Sequence, residues 1–320
     1  MDRKITMDSS MNMKANHFLS LFFAGILGIG LFCGLTAGEA AAQSSDDPLR
    51  IIAFGAHPDD CEAAAGGVGA LFAEEGHAFK CVSMTNGDIG HFGMSGGELA
   101  LRRMEEVEEA ADVLGIAETE VLDIHDGELM PTLENRKTVA RKIREWQADI
   151  VMVHRRYDYH ADHRYAGVLV DDAMVLVMAK FFTPDTEPLS SPPVQLYYSD
   201  GFERPYPFDP ALVVSIDGTA GKKYEALAQM PSQFSDKQSW TWGTRDPENV
   251  PEDEETRMKM RISDFREGDR NIADTYRDQL IELYGQQRGS EIEYAEAFQL
   301  GQYGRQVSVE ELKAMFPTFD

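Results

Sequence analysis

The chain has 320 residues, 43% of them apolar, which is enough to bury a sizeable core, and a formal net charge of −25. A phosphate backbone requires a basic footprint, so this balance excludes non-specific nucleic-acid binding as the chain's role. The acidity itself reads as a solubilising surface.

The N-terminal segment stands apart from the fold. Lys14 follows Met13, Phe18 to Ala37 carries no charge, and Ala40-Ala41-Ala42 precedes Gln43. A basic start, an apolar stretch and small residues before a cleavage point read as a secretory signal peptide over residues 1–42. The apolar run of about 20 residues is long enough to span a bilayer, so an uncleaved anchor is the alternative. Lipidation at Cys33 is disfavoured by the bulk of Phe32. No later stretch is long and apolar enough to span a membrane, and residues 43–320 are expected to be exported, periplasmic or extracellular. Only Cys61 and Cys81 remain after cleavage. A bridge is open to them in an oxidising compartment, but a domain of this size needs no staple, and two small buried thiols are expected.

Strand and helix patterns then alternate. LRIIAFGA (49–56) is a nearly continuous apolar run, as in a strand buried on both faces. CEAAAGGVGALFAEEGH (61–77) has helical spacing, and AFKCVSMTNGD (78–88) is a second strand ending in a glycine turn. GGELALRRMEEVEEAADVLGI (96–116) is an amphipathic helix with Leu99, Met104, Val107, Ala111 and Leu114 near one face, closed by Gly115. TEVLDI (119–124) is a third strand, LENRKTVARKIREWQ (133–147) a helix, ADIVMVHR (148–155) a fourth strand, and residues 163–182 a core helix. The order predicts an α/β fold, Rossmann-like, with a mostly parallel sheet and helices on both faces. No G-x-G-x-x-G follows the first strand, so a dinucleotide site is not expected. Residues 183–193 form a Pro/Ser-rich loop, PVQLYYSDG and ALVVSID read as strands, GKKYEALAQM as a helix, and a charged helix runs toward LIELYG. There are no repeats, and residues 43–320 read as a single domain.

Open α/β sheets bind ligands beyond the carboxyl ends of their strands. Those ends carry His57, Asp59 and Asp60; Thr85, Asn86, Asp88 and His91; His125 and Asp126; and His154, Asp158, His160, Asp162 and His163. They hold six of the eight histidines, more than a random surface would place there. HPDD and HADH together offer two imidazoles and a carboxylate, with acid/base groups to spare, which suits a catalytic metal with an open position. A helix cap at Asp59 or Asp60 would explain one aspartate but not the distant second cluster.

With these residues in view, AHPDD followed by HADH resembles the PIG-L/LmbE-like family of zinc-dependent de-N-acetylases. TNGDIGH resembles the family's second-strand motif, RMEEVEEAADVLG its Arg-x-x-Glu helix with Arg103 and Glu106, KYEALAQMPSQ its Lys…Ala-Leu…Ser-Gln segment, and YAEAF its closing motif. Ala161 replaces a usual proline, Met230 stands where histidine often precedes Ser-Gln, and residues around 235–285 look like an insertion.

The resemblance implies His57, Asp60 and His163 as zinc ligands, with Fe2+ the alternative ion. It implies Asp59 as general base, His160 as the group that polarises or protonates the tetrahedral intermediate, and Asp162 as its orienter. The implied reaction is removal of the N-acetyl group from an N-acetylglucosamine-type sugar or its conjugate, by attack of a zinc-bound hydroxide on the amide. Arg103, Asp88, His91 and Asp126 are the substrate-side candidates, with pairing to Glu106 as the other reading of Arg103. His154 reads as a core histidine. Trp240, Trp242, Tyr206 and Phe208 are aromatic enough to stack on a sugar, although packing is the commoner role. The expected partner is a small amino-sugar substrate. The alternatives are an amidase for another N-acyl conjugate and a non-catalytic carbohydrate-binding member of the fold.

Overall fold

The computed structural model describes residues 47–319, so the leader and its cleavage point lie outside the described residues. Seven strands among them form one sheet: β1 (Arg50–Gly55), β2 (Ala78–Ser83), β3 (Glu118–Val121), β4 (Ile150–Val153), β5 (Val194–Tyr198), β6 (Leu212–Ser215) and β7 (Ala295–Leu300). Their order is β3-β2-β1-β4-β5-β7-β6. The first five pair in parallel, and β7 runs antiparallel between β5 and β6.

The side-chain period of two divides β1 between two cores. Ile51 and Ala53 join Phe79, Cys81 and Leu196 on one face, while Ile52 and Phe54 join Val82, Val151 and Val153 on the other. Helices α1 (Asp60–Glu74) and α2 (Gly97–Leu114) cover the first face with Val68, Phe72, Val107 and Leu114. Helices α3 (Leu133–Trp146) and α4 (Ala161–Met174) cover the second with Val139, Ile143, Leu169 and Val170. The layered α/β arrangement expected from the sequence is therefore present. No helix of the described residues is long and apolar enough to cross a membrane.

Gly115 closes α2 in the left-handed region, donating to Ala111 O at 2.9 Å. Four details depart from the sequence reading. Met104 is 37% exposed, and Arg103 and Glu106 are buried in its place. The core helix stops at Met174, because the buried Arg144 guanidinium takes up the carbonyls of Leu176, Val177, Ala179 and Thr183 and so stabilises a chain reversal there. β7 falls in the YAEAF stretch, where the charge of Glu296 interrupts the apolar run. Lastly, Cys61 and Cys81 are not free thiols but a disulfide, Cα–Cα 6.0 Å. The first turn of α1 lies over β2, and both side chains point into the same core.

Candidate active site

β1 and β4 are parallel neighbours, yet the chain leaves β1 toward β2 on one side and β4 toward β5 on the other. Strand order reverses at this point, and a crevice opens at the carboxyl ends. The turn Ala56–Asp60 and the loop His154–His160 meet there. Backbone N–H groups of Ala56 and His57 donate to Asp60 Oδ2 at 2.9 and 2.8 Å, which fixes that carboxylate. Asp59 occupies the N-cap position of α1, but its side chain makes no capping bond. The capping explanation of HPDD therefore does not apply.

The histidines are held by carboxylates on their far sides. His57 Nε2 lies 3.1 Å from Asp126 Oδ1 and 3.5 Å from Asp162 Oδ2. His163 Nδ1 donates to Asp158 Oδ2 at 3.1 Å. A carboxylate only accepts, so each ring carries its proton on the outer nitrogen and turns the other lone pair inward. The inward atoms converge. His57 Nδ1 lies 3.2 Å from His163 Nε2 and 3.5 Å from Asp60 Oδ2, and His163 Nε2 lies 3.4 Å from Asp60 Oδ1. Donors around a tetrahedral zinc at 2.0–2.1 Å would stand about 3.3 Å apart, so the set fits a divalent metal in spacing and in chemistry. Imidazole groupings with further carboxylates, His57 with Asp126 and Asp162 and His163 with Asp60 and His154, also lie close enough to hold an ion.

The donor set can hold a divalent ion, and comparison with known proteins adds the family. Residues 52–174 match the family profile described as PIG-L, GlcNAc-PI de-N-acetylase. The diacetylchitobiose deacetylase of Thermococcus kodakarensis is 31% identical over 199 residues, 59% of this chain and 72% of that protein. The chain belongs to the PIG-L family. A second relative of this PIG-L family member is the 4-oxalmesaconate hydratase of Pseudomonas putida, 28% identical over 202 residues, 61% of this chain and 76% of that protein. Among solved structures, the N,N'-diacetylchitobiose deacetylase of Pyrococcus horikoshii, complexed with an inhibitor, aligns with a TM-score of 0.61 at 25% identity, covering 80% of this chain and 84% of that one.

Around the donor set, burial and the neighbouring Asp60 charge push Asp59 up to about 6, against the pull of His57 and Arg103. Asp60 itself is held well below the usual carboxylate range, where His163, His154 and His57 outweigh burial. Burial, with the charges of His57 and His163, lowers the pKa of His160. His160 Nδ1 accepts from the Asp162 backbone N–H at 3.2 Å, so the neutral ring carries its proton on Nε2. The Asp162 carboxylate does not orient His160 as expected. It accepts from Gly127 N at 2.7 Å and Leu129 N at 3.3 Å and faces His57.

The substrate-side candidates divide. Arg103 is buried and does not pair with Glu106. Its Nη2 donates to Gly90 O at 3.1 Å and to Gln233 Oε1, while Glu106 receives Arg102 and Ser232. Gly87, at φ +66°, lets the guanidinium lie against the backbone, since a Cβ there would sit 2.4 Å from Arg103 Nη1. Asp126 faces His57 rather than open cleft. Asp88 spends its carboxylate on His125 Nδ1 at 2.7 Å and Asp126 N at 3.1 Å, so it builds the loop. His91 accepts from Gly93 N at 3.0 Å and meets Asp236 at 3.2 Å, both away from the donor set. Both are engaged in these loop contacts.

Three residues were given no role in the site from the sequence. Gln233 Nε2 donates to Asp59 Oδ2 at 2.8 Å while its oxygen receives Arg103, linking two candidates. Only its place in the Ser-Gln motif hinted at this. Asp158 holds His163, as described. His154 is no bystander of the core: its ring stacks on His163 with centroids 4.1 Å apart, and its buried Nε2 approaches Asp60 Oδ2 at 3.2 Å without the alignment of a hydrogen bond. Of the aromatic candidates, Trp242 is packing, with its Nε1 donating to Phe234 O. Trp240 is exposed and stacks on Phe92.

Proposed function

We propose that this chain removes the N-acetyl group from an N-acetylglucosamine-type amino sugar or its conjugate, releasing acetate and the free amine. The observation that carries this reading is the convergence of His57 Nδ1, His163 Nε2 and the Asp60 carboxylate beside a second carboxylate, Asp59. The deacetylase relatives support the reaction class. A divalent metal held by His57, Asp60 and His163, zinc by preference and Fe2+ as the alternative, would supply an acidified water and polarise the amide carbonyl.

The chain's own residues supply the rest. Asp59, pushed up to about 6, is ionised at neutral pH yet basic enough to take a proton from the attacking water. Gln233 fixes one of its oxygens and leaves the other free. His160 presents an Nε2–H donor to the oxygen that gains charge as the amide carbon becomes tetrahedral, and a preorganised donor of this kind is worth several kcal/mol, about 3. The proton held by Asp59 then passes to the departing nitrogen. Arg103, fixed by Gly90 and Gln233, is the group suited to a substrate hydroxyl. Asp126 and Asp162 hold His57, and Asp158 holds His163. The domain reading of residues 43–320 and the export of the chain belong to the same proposal, supported by the leader-like residues 13–42.

The test is acetate release from a panel of N-acetylated sugars and conjugates, with metal content measured on the same preparation. Folded protein without bound metal, or with metal but without acetate release from any of them, would sink the reading. The hydratase relative favours a second reading, addition of water to an unsaturated tricarboxylate at the same site. Consumption of such a substrate, read by its ultraviolet absorbance, separates the two.

A further inference from the structure

Beside α4, the segment joining β5 to β6 leaves a cavity of about 470 Å3 that takes no part in the chemistry above. That size falls among small-molecule sites, about 300–1,000 Å3. Its aromatic lining is Tyr157, Tyr197, Tyr206, Phe208 and Tyr303, and the amides of Gln299 and Gln302 also line it. Tyr206 and Tyr303 are 48% and 47% exposed, so both rings offer open faces. Tyr157 meets Tyr206 edge to face at 5.4 Å, and the Arg156 guanidinium lies 4.6 Å from the Tyr303 ring centre. The walls are thus braced before any ligand arrives.

The charges select the ligand class. Arg155 pairs with both Asp200 oxygens at 2.6 and 2.7 Å, and Arg156 pairs with Asp171. Both guanidiniums are neutralised, and Asp209 also lines the cavity of a chain whose net charge is −25. An anionic ligand finds no surplus positive charge. Flat apolar faces with amide and carboxylate groups at their edges suit a neutral pyranose, whose C–H faces stack on rings and whose hydroxyls meet the polar edges.

The cavity also shares a loop with the metal-donor cluster. Arg155, Arg156 and Tyr157 lie between His154 and Asp158, which both face His163. Three residues of extended chain span at most about 11 Å. We infer that this cavity binds a further sugar unit of an oligosaccharide whose N-acetylated unit sits at the donor cluster, an inference that rests on the amino-sugar reading above.

The experiment compares holoenzyme acting on N-acetylglucosamine and on its β-1,4-linked trisaccharide. Tyr206→Ala and Tyr303→Ala are expected to raise KM for the trisaccharide by about three- to tenfold, the worth of one aromatic stack. Neither kcat nor the monosaccharide KM should move, and Tyr206→Phe should restore the trisaccharide value. If both KM values rise together, or neither moves, the inference is overturned while the deacetylase reading stands. If no sugar releases acetate, that reading fails, and calorimetry decides on the cavity alone. Trisaccharide binding present in wild type and lost in Tyr206→Ala, with metal content unchanged, supports it. Absent binding, or equal binding in both proteins, overturns it.

Discussion

Two aspartates adjacent in sequence are given opposite characters by their surroundings. Asp60 receives two backbone N–H groups and faces imidazoles, while Asp59 receives one amide and carries the repulsion of Asp60. Asp59→Asn should therefore retain metal but lose about 10²–10⁴ in kcat, the usual worth of a general base, as read by acetate release and elemental analysis. Asp158 holds the His163 ring through Oδ2 and accepts from the His160 backbone N–H through Oδ1, so Asp158→Asn should weaken metal binding about 10–100-fold in a chelator competition. HPDD and HADH were legible because few residue types make metal donors and strand ends are where sheets bind ligands. The finer assignments were not. Asp88 and His91 have the same chemistry as the converging donors, and only the tertiary structure shows that they engage neighbouring loops. Gln233 lies far along the chain from Asp59, and nothing in an amide's type announces that it will meet a carboxylate and Arg103.

Among the elements, the parallel strands were readable because burial on both faces leaves uninterrupted apolar runs such as Ile51–Phe54. β7 escaped because Glu296 sits fully inside, which a charged residue does only with partners that the sequence does not display. The disulfide escaped because proximity of α1 to β2 is a packing result. It closes a short loop, with a sequence separation of 20. Cys61→Ala/Cys81→Ala should thus cost about 3 kcal/mol, seen as a lower denaturant midpoint. The outer edge of the sheet adds a pH term. Glu120 on β3 meets Lys80 at 2.8 Å and Lys142 from α3. Burial would raise its pKa, but the two lysines outweigh burial and lower it. A lowered folded pKa stabilises above the ordinary value of 4.5, and that contribution is lost as pH falls from there through the folded value. Glu120→Gln should flatten the decline of the thermal midpoint below pH 4.5, and an unchanged slope would count against it.

At the level of the whole molecule, the two ends of the described chain are tied by one buried ion cluster. Lys223, in the helix α5 (Ala220–Leu227), meets Asp269 at 2.8 Å and Glu296 at 2.9 Å. Glu296 also accepts from the N–H groups of Gly67 and Val68 in α1, both at 2.9 Å, and Tyr224 donates to the second oxygen of Asp269 at 3.0 Å. The lysine of the KYEAL stretch and the acid of YAEAF, which entered only as matching motifs, are therefore one structural device. It fastens α1, whose first turn carries Asp60, to β7 and to the helix Glu254–Thr275. Lys223 is 1% exposed, so its removal leaves two carboxylates buried without a counter-charge. Breaking a buried pair in this way costs about 3–5 kcal/mol. Lys223→Met should lower the unfolding free energy by that amount, read as a lower denaturant midpoint. Adding Asp269→Asn and Glu296→Gln to Lys223→Met should recover part of the loss, because the uncompensated charges go with it. If the triple variant is less stable than Lys223→Met by the sum of the single losses, the cluster acts through its separate hydrogen bonds and not through charge balance.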